Sequence, residues 1–181
     1  MAISAEAVNV LEEEDDNIKS ILLKYIDETP GIRYRELLRL TALSNGTLTY
    51  HLKMLEDSNC VRVDRHQRRM TRYYAVNVPI EESEVIGYIR SDTTRQIILF
   101  ILKHDLCTFN EIVEYTKKAP STVSWHLKRL RNARIILSII QKEYHLYRVI
   151  NRELVADVLY KYKESFVDKV VNNYTEIIEE L

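Results

Sequence analysis

TLTYHLKML (Thr47–Leu55) and TVSWHLKRL (Thr122–Leu130) are one nine-residue pattern written twice, 75 positions apart. On a helical wheel at about 100° per residue, Leu48, Leu52 and Leu55 form one apolar stripe in the first copy, and Val123, Leu127 and Leu130 form it in the second. The opposite side carries Gly46, Tyr50, Lys53 and Asp57, matched by Ser121, Trp125, Lys128 and Asn132. Each copy therefore turns a large aromatic ring outward, and an exposed ring asks for a partner more than a buried one does.

The repeat extends beyond the nine residues. Residues 32–55 and 107–130 are identical at seven of 24 positions, where one or two would arise by chance: Glu36/Glu111, Thr41/Thr116, Thr47/Thr122, His51/His126, Leu52/Leu127, Lys53/Lys128 and Leu55/Leu130. Two tandem copies of a small domain follow. Each reads as helix, helix, turn, helix, hairpin, the winged helix-turn-helix order. The first helices fall near Ile18–Asp27 and Thr94–Lys103, and the second near Tyr34–Leu40 and Phe109–Tyr115. Thr108 and Glu111 have the spacing of a capping box. Ser44 as N-cap and Pro120 in the first turn start the repeated helices. Val61–Val63 with Arg72–Val76, and Ile135–Ile140 with Tyr144–Ile150, read as the wings.

The fold expected is mainly α with small β-hairpin wings (α+β): an acidic segment at 1–16, winged helix-turn-helix domains at 17–79 and 91–150, a linker or short helix at 80–90, and a long amphipathic helix at 151–181. In that last segment Val155, Leu159, Tyr162, Phe166, Val170, Tyr174, Ile177 and Leu181 recur at steps of three or four with no Pro or Gly. Leu159, Tyr162, Phe166, Val170, Tyr174 and Ile177 are the expected dimerisation stripe of a homodimer, with folding back on the second domain as the alternative.

Composition bounds the function. The 181 residues are 46% hydrophobic and 29% charged, enough for real cores. No apolar run approaches the roughly 18 residues of a membrane helix, and no signal-peptide layout is present, so a cytoplasmic, nucleoid-associated protein without a membrane partner is expected. Cys60 and Cys107 stand alone, as reduced structural thiols do. His51 and His126 lie at the edge of the buried stripe without a second ligand at i+3 or i+4, so packing is their expected role and no metal or cofactor is expected. The formal charge of −1 conceals a partition. Residues 1–16 carry −6, residues 17–79 carry +5, residues 80–150 carry +3 and residues 151–181 carry −3. A basic body between acidic ends suits a polyanionic partner. The Glu12–Asp16 run reads as a solvated helix start or tail, with competition against DNA for the basic wing as a lesser alternative.

Double-stranded DNA is the partner these features fit best. Asn45, Thr47, Thr49, Tyr50 and Lys53 in copy one, and Ser121, Thr122, Ser124, Trp125, Lys128 and Arg129 in copy two, are the candidate groove contacts. The alternative for the two aromatics is closure over the wing or the neighbouring domain. Arg62, Arg65, His66, Arg68, Arg69 and Arg72 load the first wing with five arginines in eleven residues, a pattern suited to phosphates or a minor groove. The second wing, ILSII around Gln141-Lys142-Glu143, reads as built for burial or weak backbone contact. The two recognition helices are expected about 10 bp apart if they lie on one side of the duplex. A protein–protein module of a transcription or chromosome-associated complex is the rival reading. An enzyme is the weakest, since no Gly-rich phosphate loop, paired acids in an apolar setting or nucleophile–base spacing occurs.

SDTTRQIILFILKHDLCTFNEIVEYTKKAPSTVSWHLKRL (Ser91–Leu130) resembles the ArsR/MarR-type winged helix-turn-helix repressors, and GIRYRELLRLTALSNGTLTYHLKMLE (Gly31–Glu56) is similar to their archaeal branch. The tandem arrangement looks like the archaeal two-domain regulators. The resemblance covers about Ile18–Ile150 and implies a DNA-binding transcription regulator. The metal-sensing members carry a cysteine pair near the recognition helix; Val123 and its neighbours provide none. Target sequence, effector and the choice between activation and repression are not encoded in these motifs.

Overall fold

The computed structural model describes residues 5–65, 71–141 and 143–166, with side chains described from Asp15 onward. The chain divides between Ser83 and Glu84 into two compact units. In the first, α1 (Ala5–Glu28), β1 (Ile32–Arg33), α2 (Tyr34–Thr41) and α3 (Asn45–Asp57) precede the hairpin β2 (Val61–Asp64) and β3 (Arg72–Ala75). The second repeats the order with α5 (Asp92–His104), β4 (Cys107–Thr108), α6 (Phe109–Thr116), α7 (Pro120–Asn132), β5 (Ile136–Gln141) and β6 (Tyr144–Val149). Helix α4 (Ile80–Ile89) runs across the division, and α8 (Arg152–Lys161) follows the second wing.

The mainly helical architecture of two tandem winged helix-turn-helix domains is present among the described residues. Each sheet has three antiparallel strands in the order β1-β3-β2 and β4-β6-β5. The short strands β1 and β4 were not legible: two residues are too few for an alternation to register. Ile32 pairs with Tyr73, and Cys107 with Tyr147, so the strand between helices one and two is stitched to the wing in both units.

The apolar stripes do what the wheel requires. Leu48, Leu52 and Leu55 join Leu22, Ile26, Leu37 and Val61 in one core, and Val123, Leu127 and Leu130 are buried in the other unit. The caps hold the repeated helices in place. Ser44 accepts a hydrogen bond from the Thr47 amide at 3.1 Å, Pro120 occupies the first turn of α7, and the Thr108–Glu111 capping box starts α6. The turn between helices two and three needs a left-handed residue, and Ala42 (φ 53°) and Lys117 (φ 52°) supply it at equivalent positions.

Three expectations are corrected. Helix α1 begins at Ala5 rather than near Ile18, because residues 5–17 contain no Pro or Gly to break it. The C-terminal helix is not continuous: α8 ends at Lys161, and a 3-10 turn, η1 (Lys163–Phe166), follows. Its apolar stripe is used within the second unit, since Leu159 and Phe166 are buried, with Arg90 stacked 4.9 Å from the Phe166 ring. Tyr162 caps α8 and is half-buried. Leu159 and Phe166 are therefore core residues and not a free dimer face; Val170, Tyr174 and Ile177 lie outside the described residues.

Candidate nucleic-acid interface

Both recognition helices present a matching outward row. Tyr50 is 54% exposed and Trp125 53%, and Lys53 and Lys128 lie exposed beside them. Asn45, Thr49, Ser121, Thr122 and Ser124 are exposed, and Thr47 is half-buried behind its cap. Each ring stands on a buried histidine in edge-on geometry, Tyr50 on His51 at 5.1 Å and Trp125 on His126 at 4.8 Å.

The histidines are pillars under the aromatics, 2% and 8% exposed. His126 Nδ1 shares a 2.8 Å hydrogen bond with Thr94 Oγ1 on α5. Burial, assisted by the nearby charge of Arg129, pushes the His126 pKa below its ordinary value, so the neutral ring is the one the fold favours. His51 uses a different partner: its Nε2 lies 3.6 Å from Asp15 Oδ1 on α1, and its Nδ1 has no hydrogen-bond partner among the described residues. Packing, the role expected of both histidines, is where the structure puts them.

The ends of the two helices are fixed differently. Tyr34 of α2 donates to the Asn45 carbonyl oxygen at 3.0 Å and lies 3.1 Å from Thr49 Oγ1, tying two of the candidate base contacts to a scaffold hydroxyl. Phe109 stands at the equivalent position of the second unit without a hydroxyl. There Arg129 is stacked 4.5 Å from the Trp125 ring and 5.3 Å from the Tyr88 ring. That clamp was missed from the sequence, although an aromatic and an arginine four apart on a helix are its signal.

The first wing is less uniformly available than its composition implies. Arg72 is a correction: only 5% exposed, it donates to the Gly31 carbonyl oxygen at 2.7 Å and is a structural residue. Its register explains this, since β3 lies between β1 and β2 with Arg72 opposite both Arg33 and Asp64. Arg62 is half-buried, 5.5 Å from the Tyr74 ring. Arg65 is exposed but forms a bidentate pair with Glu56, its Nη2 at 2.6 Å from Oε2. That pair holds the Glu56 carboxyl below the usual carboxylate range. His66, Arg68 and Arg69 lie outside the described residues. Of the two roles expected of the second wing, burial or weak backbone contact, burial within the chain does not hold for Ile139, Ile140 and Tyr144, which are exposed.

Among the described residues no group of His, Cys, Asp and Glu is placed to hold a metal, and no helix is long and apolar enough to cross a membrane. Cys107 is buried, which raises its thiol pKa to about 12 and leaves it inert, while Cys60 is exposed.

Two winged helix-turn-helix domains with matched outward rows make this a tandem helix-turn-helix protein. Residues 92–138 match the family described as bacterial regulatory protein, arsR family, and residues 16–86 match an N-terminal HTH domain family, so each unit is similar to a helix-turn-helix family of its own. An uncharacterized HTH-type transcriptional regulator, MJ1398 of Methanocaldococcus jannaschii, is 27% identical over 134 residues, 72% of this chain. The chain spans about a third (34%) of that relative's length. The crystal structure of the transcriptional repressor PagR of Bacillus anthracis aligns with 45% of this chain and 92% of its own at 20% identity, with a TM-score of 0.41.

Proposed function

We propose that the chain is a transcription regulator that binds double-stranded DNA through α3 and α7. The observation that carries this reading is the duplicated outward row, hydroxyl or amide, aromatic and lysine, mounted on a buried histidine in both units. Hydroxyls and Asn45 hydrogen-bond to base edges or phosphates, the rings lie against sugar or a thymine methyl, and the lysines neutralise phosphates. The relative MJ1398, named as a transcriptional regulator, supports the same reading. Pairing of two chains is assigned to the rest of the C-terminal stripe, Val170, Tyr174 and Ile177, because Leu159 and Phe166 are already used inside the second unit.

Selection of bound sites from random DNA, followed by affinity measurements across salt, tests the proposal. Binding is expected to fall by orders of magnitude between about 50 and 200 mM salt. Tyr50→Ala with Lys53→Ala, and Trp125→Ala with Lys128→Ala, are each expected to lose about tenfold or more. Undiminished binding by both double variants sinks the assignment. The exposed Ile139, Ile140 and Tyr144 favour a second reading, a protein partner at the second wing. Ile140→Lys should abolish that contact and leave DNA binding intact.

A further inference from the structure

On the flank of α7 that faces the start of α6 and strand β6, the second unit holds an open pocket of about 300 Å³. Ser124, Lys128 and Arg131 line it from successive turns of α7, with Phe109 and Tyr147 across from them. Among the described residues no carboxylate pairs with Lys128 or Arg131. Arg131 lies close enough to the Tyr147 hydroxyl that its charge opposes the upward push of burial on that phenol. Two like charges one turn apart on a helix repel, and an anion between them relieves the repulsion.

The first unit provides an internal comparison. Tyr34, Thr49, Lys53 and Glu56 stand where the second unit has Phe109, Ser124, Lys128 and Arg131. Tyr73 corresponds to Tyr147, since each pairs with the equivalent residue of the short strand. There the Tyr34 hydroxyl reaches Thr49, and the carboxylate of Glu56 is held by both guanidinium nitrogens of Arg65. The first unit thus carries its own anion and its own cation. In the second, Phe109 has no hydroxyl to offer Ser124, and a guanidinium occupies the place of the carboxylate.

We propose that the pocket formed by Ser124, Lys128, Arg131 and Tyr147 is an oxyanion site that takes a phosphate group, a site the first unit closes internally with the Glu56–Arg65 pair. The guanidinium fork of Arg131 donates two parallel hydrogen bonds to phosphate oxygens, Lys128 supplies a point charge, and the Ser124 and Tyr147 hydroxyls complete the donor set. The phosphate belongs either to the DNA backbone or to a soluble phosphate monoester. Because Ser124 and Lys128 also belong to the row assigned to DNA, a soluble occupant competes with DNA directly. That competition rests on the DNA-binding reading; the oxyanion site does not.

Titration of the full chain with inorganic phosphate against chloride at fixed ionic strength, followed by amide chemical shifts, tests the site. Saturable shifts are expected at Ser124, Lys128 and Arg131 with half-saturation at about 1–10 mM, and none at Thr49, Lys53 and Glu56. Arg131→Glu, which installs the first unit's residue, should raise half-saturation at least about tenfold, and Arg131→Gln should do so with a smaller change of charge. Absence of saturable shifts in the parent chain, or equal titrations in parent and both variants, overturns the proposal. A DNA arm identifies the source. Weakened DNA binding in Arg131→Glu, with phosphate competing in the parent only, assigns the pocket to a backbone phosphate. Unchanged DNA binding alongside lost phosphate shifts assigns it to a soluble ester. If no protein binds DNA, the functional reading fails while the phosphate titration still decides the site.

Discussion

The Tyr34 hydroxyl lies 3.1 Å from Thr49 Oγ1 and 3.0 Å from the Asn45 carbonyl oxygen, so one phenol of α2 fixes the first turns of recognition helix α3. The second unit makes no such tie, because Phe109 occupies the equivalent position. The two helices share a core stripe and an outward row, but among the described residues this phenol anchor to the preceding helix occurs at the first alone.

Tyr34→Phe therefore removes the anchor and gives the first unit the residue of the second. A net hydrogen bond of this kind contributes about 0.5–1.5 kcal/mol, lessened here by exposure. Urea unfolding should show a loss at or below the low end of that range, about 0.5 kcal/mol, with an unchanged slope. Freed from Tyr34, Asn45 and Thr49 should discriminate less sharply between bases, seen as a broader set of selected sites at nearly constant affinity.

The wing arginines should separate into two classes. Arg72→Ala empties a buried site and leaves the Gly31 carbonyl oxygen without its donor, which costs about 2–3 kcal/mol of stability. Arg65→Ala breaks an exposed pair with Glu56 and should cost well under about 1 kcal/mol. Thermal unfolding of the two variants distinguishes them; equal melting temperatures would show that Arg72 is not the structural residue its burial indicates.

Acidification should weaken the second unit through His126. Its folded pKa is depressed by burial and by Arg129, so the unfolded chain takes up a proton first as pH falls. The contribution is complete above the unfolded value of about 6.5 and is lost as pH drops through that value toward the folded one. Unfolding midpoints measured between about pH 7.5 and 5.5 should decline in the parent chain. The decline should be shallower in His126→Gln, and an equal slope in both would remove His126 as its source.

Elements with a strong period were legible in the sequence, and elements decided by tertiary pairing were not. The stripes Leu48–Leu52–Leu55 and Val123–Leu127–Leu130 fix which side of each helix is buried, and with it the exposure of Tyr50 and Trp125. Ser44, Pro120 and Thr108 mark helix starts through local hydrogen-bonding chemistry. Arg72 is indistinguishable in sequence from the other wing arginines, because only the register of β3 between two strands buries it. The break after Lys161 lacks Pro or Gly and follows from packing of Phe166 beneath Arg90 and Arg95. The pocket beside α7 needed both units, since its meaning lies in Glu56 and Arg131 occupying one position with opposite charge.

The C-terminal stripe gives the last expected outcome. Leu159 is fully buried within its own unit, so Leu159→Ala should cost about 3 kcal/mol through lost transfer energy and the cavity left behind. An intramolecular core residue makes that loss independent of protein concentration, whereas a residue buried only by a partner chain makes it shrink as concentration rises. Urea unfolding at two concentrations a hundredfold apart separates the cases, and a concentration-dependent loss would return Leu159 to an intermolecular face. Val170→Asp with Tyr174→Asp is the complementary change. It should leave the unfolding of the described units unaltered and act on the association of chains, read by sedimentation, if the stripe is divided between core and partner at Phe166.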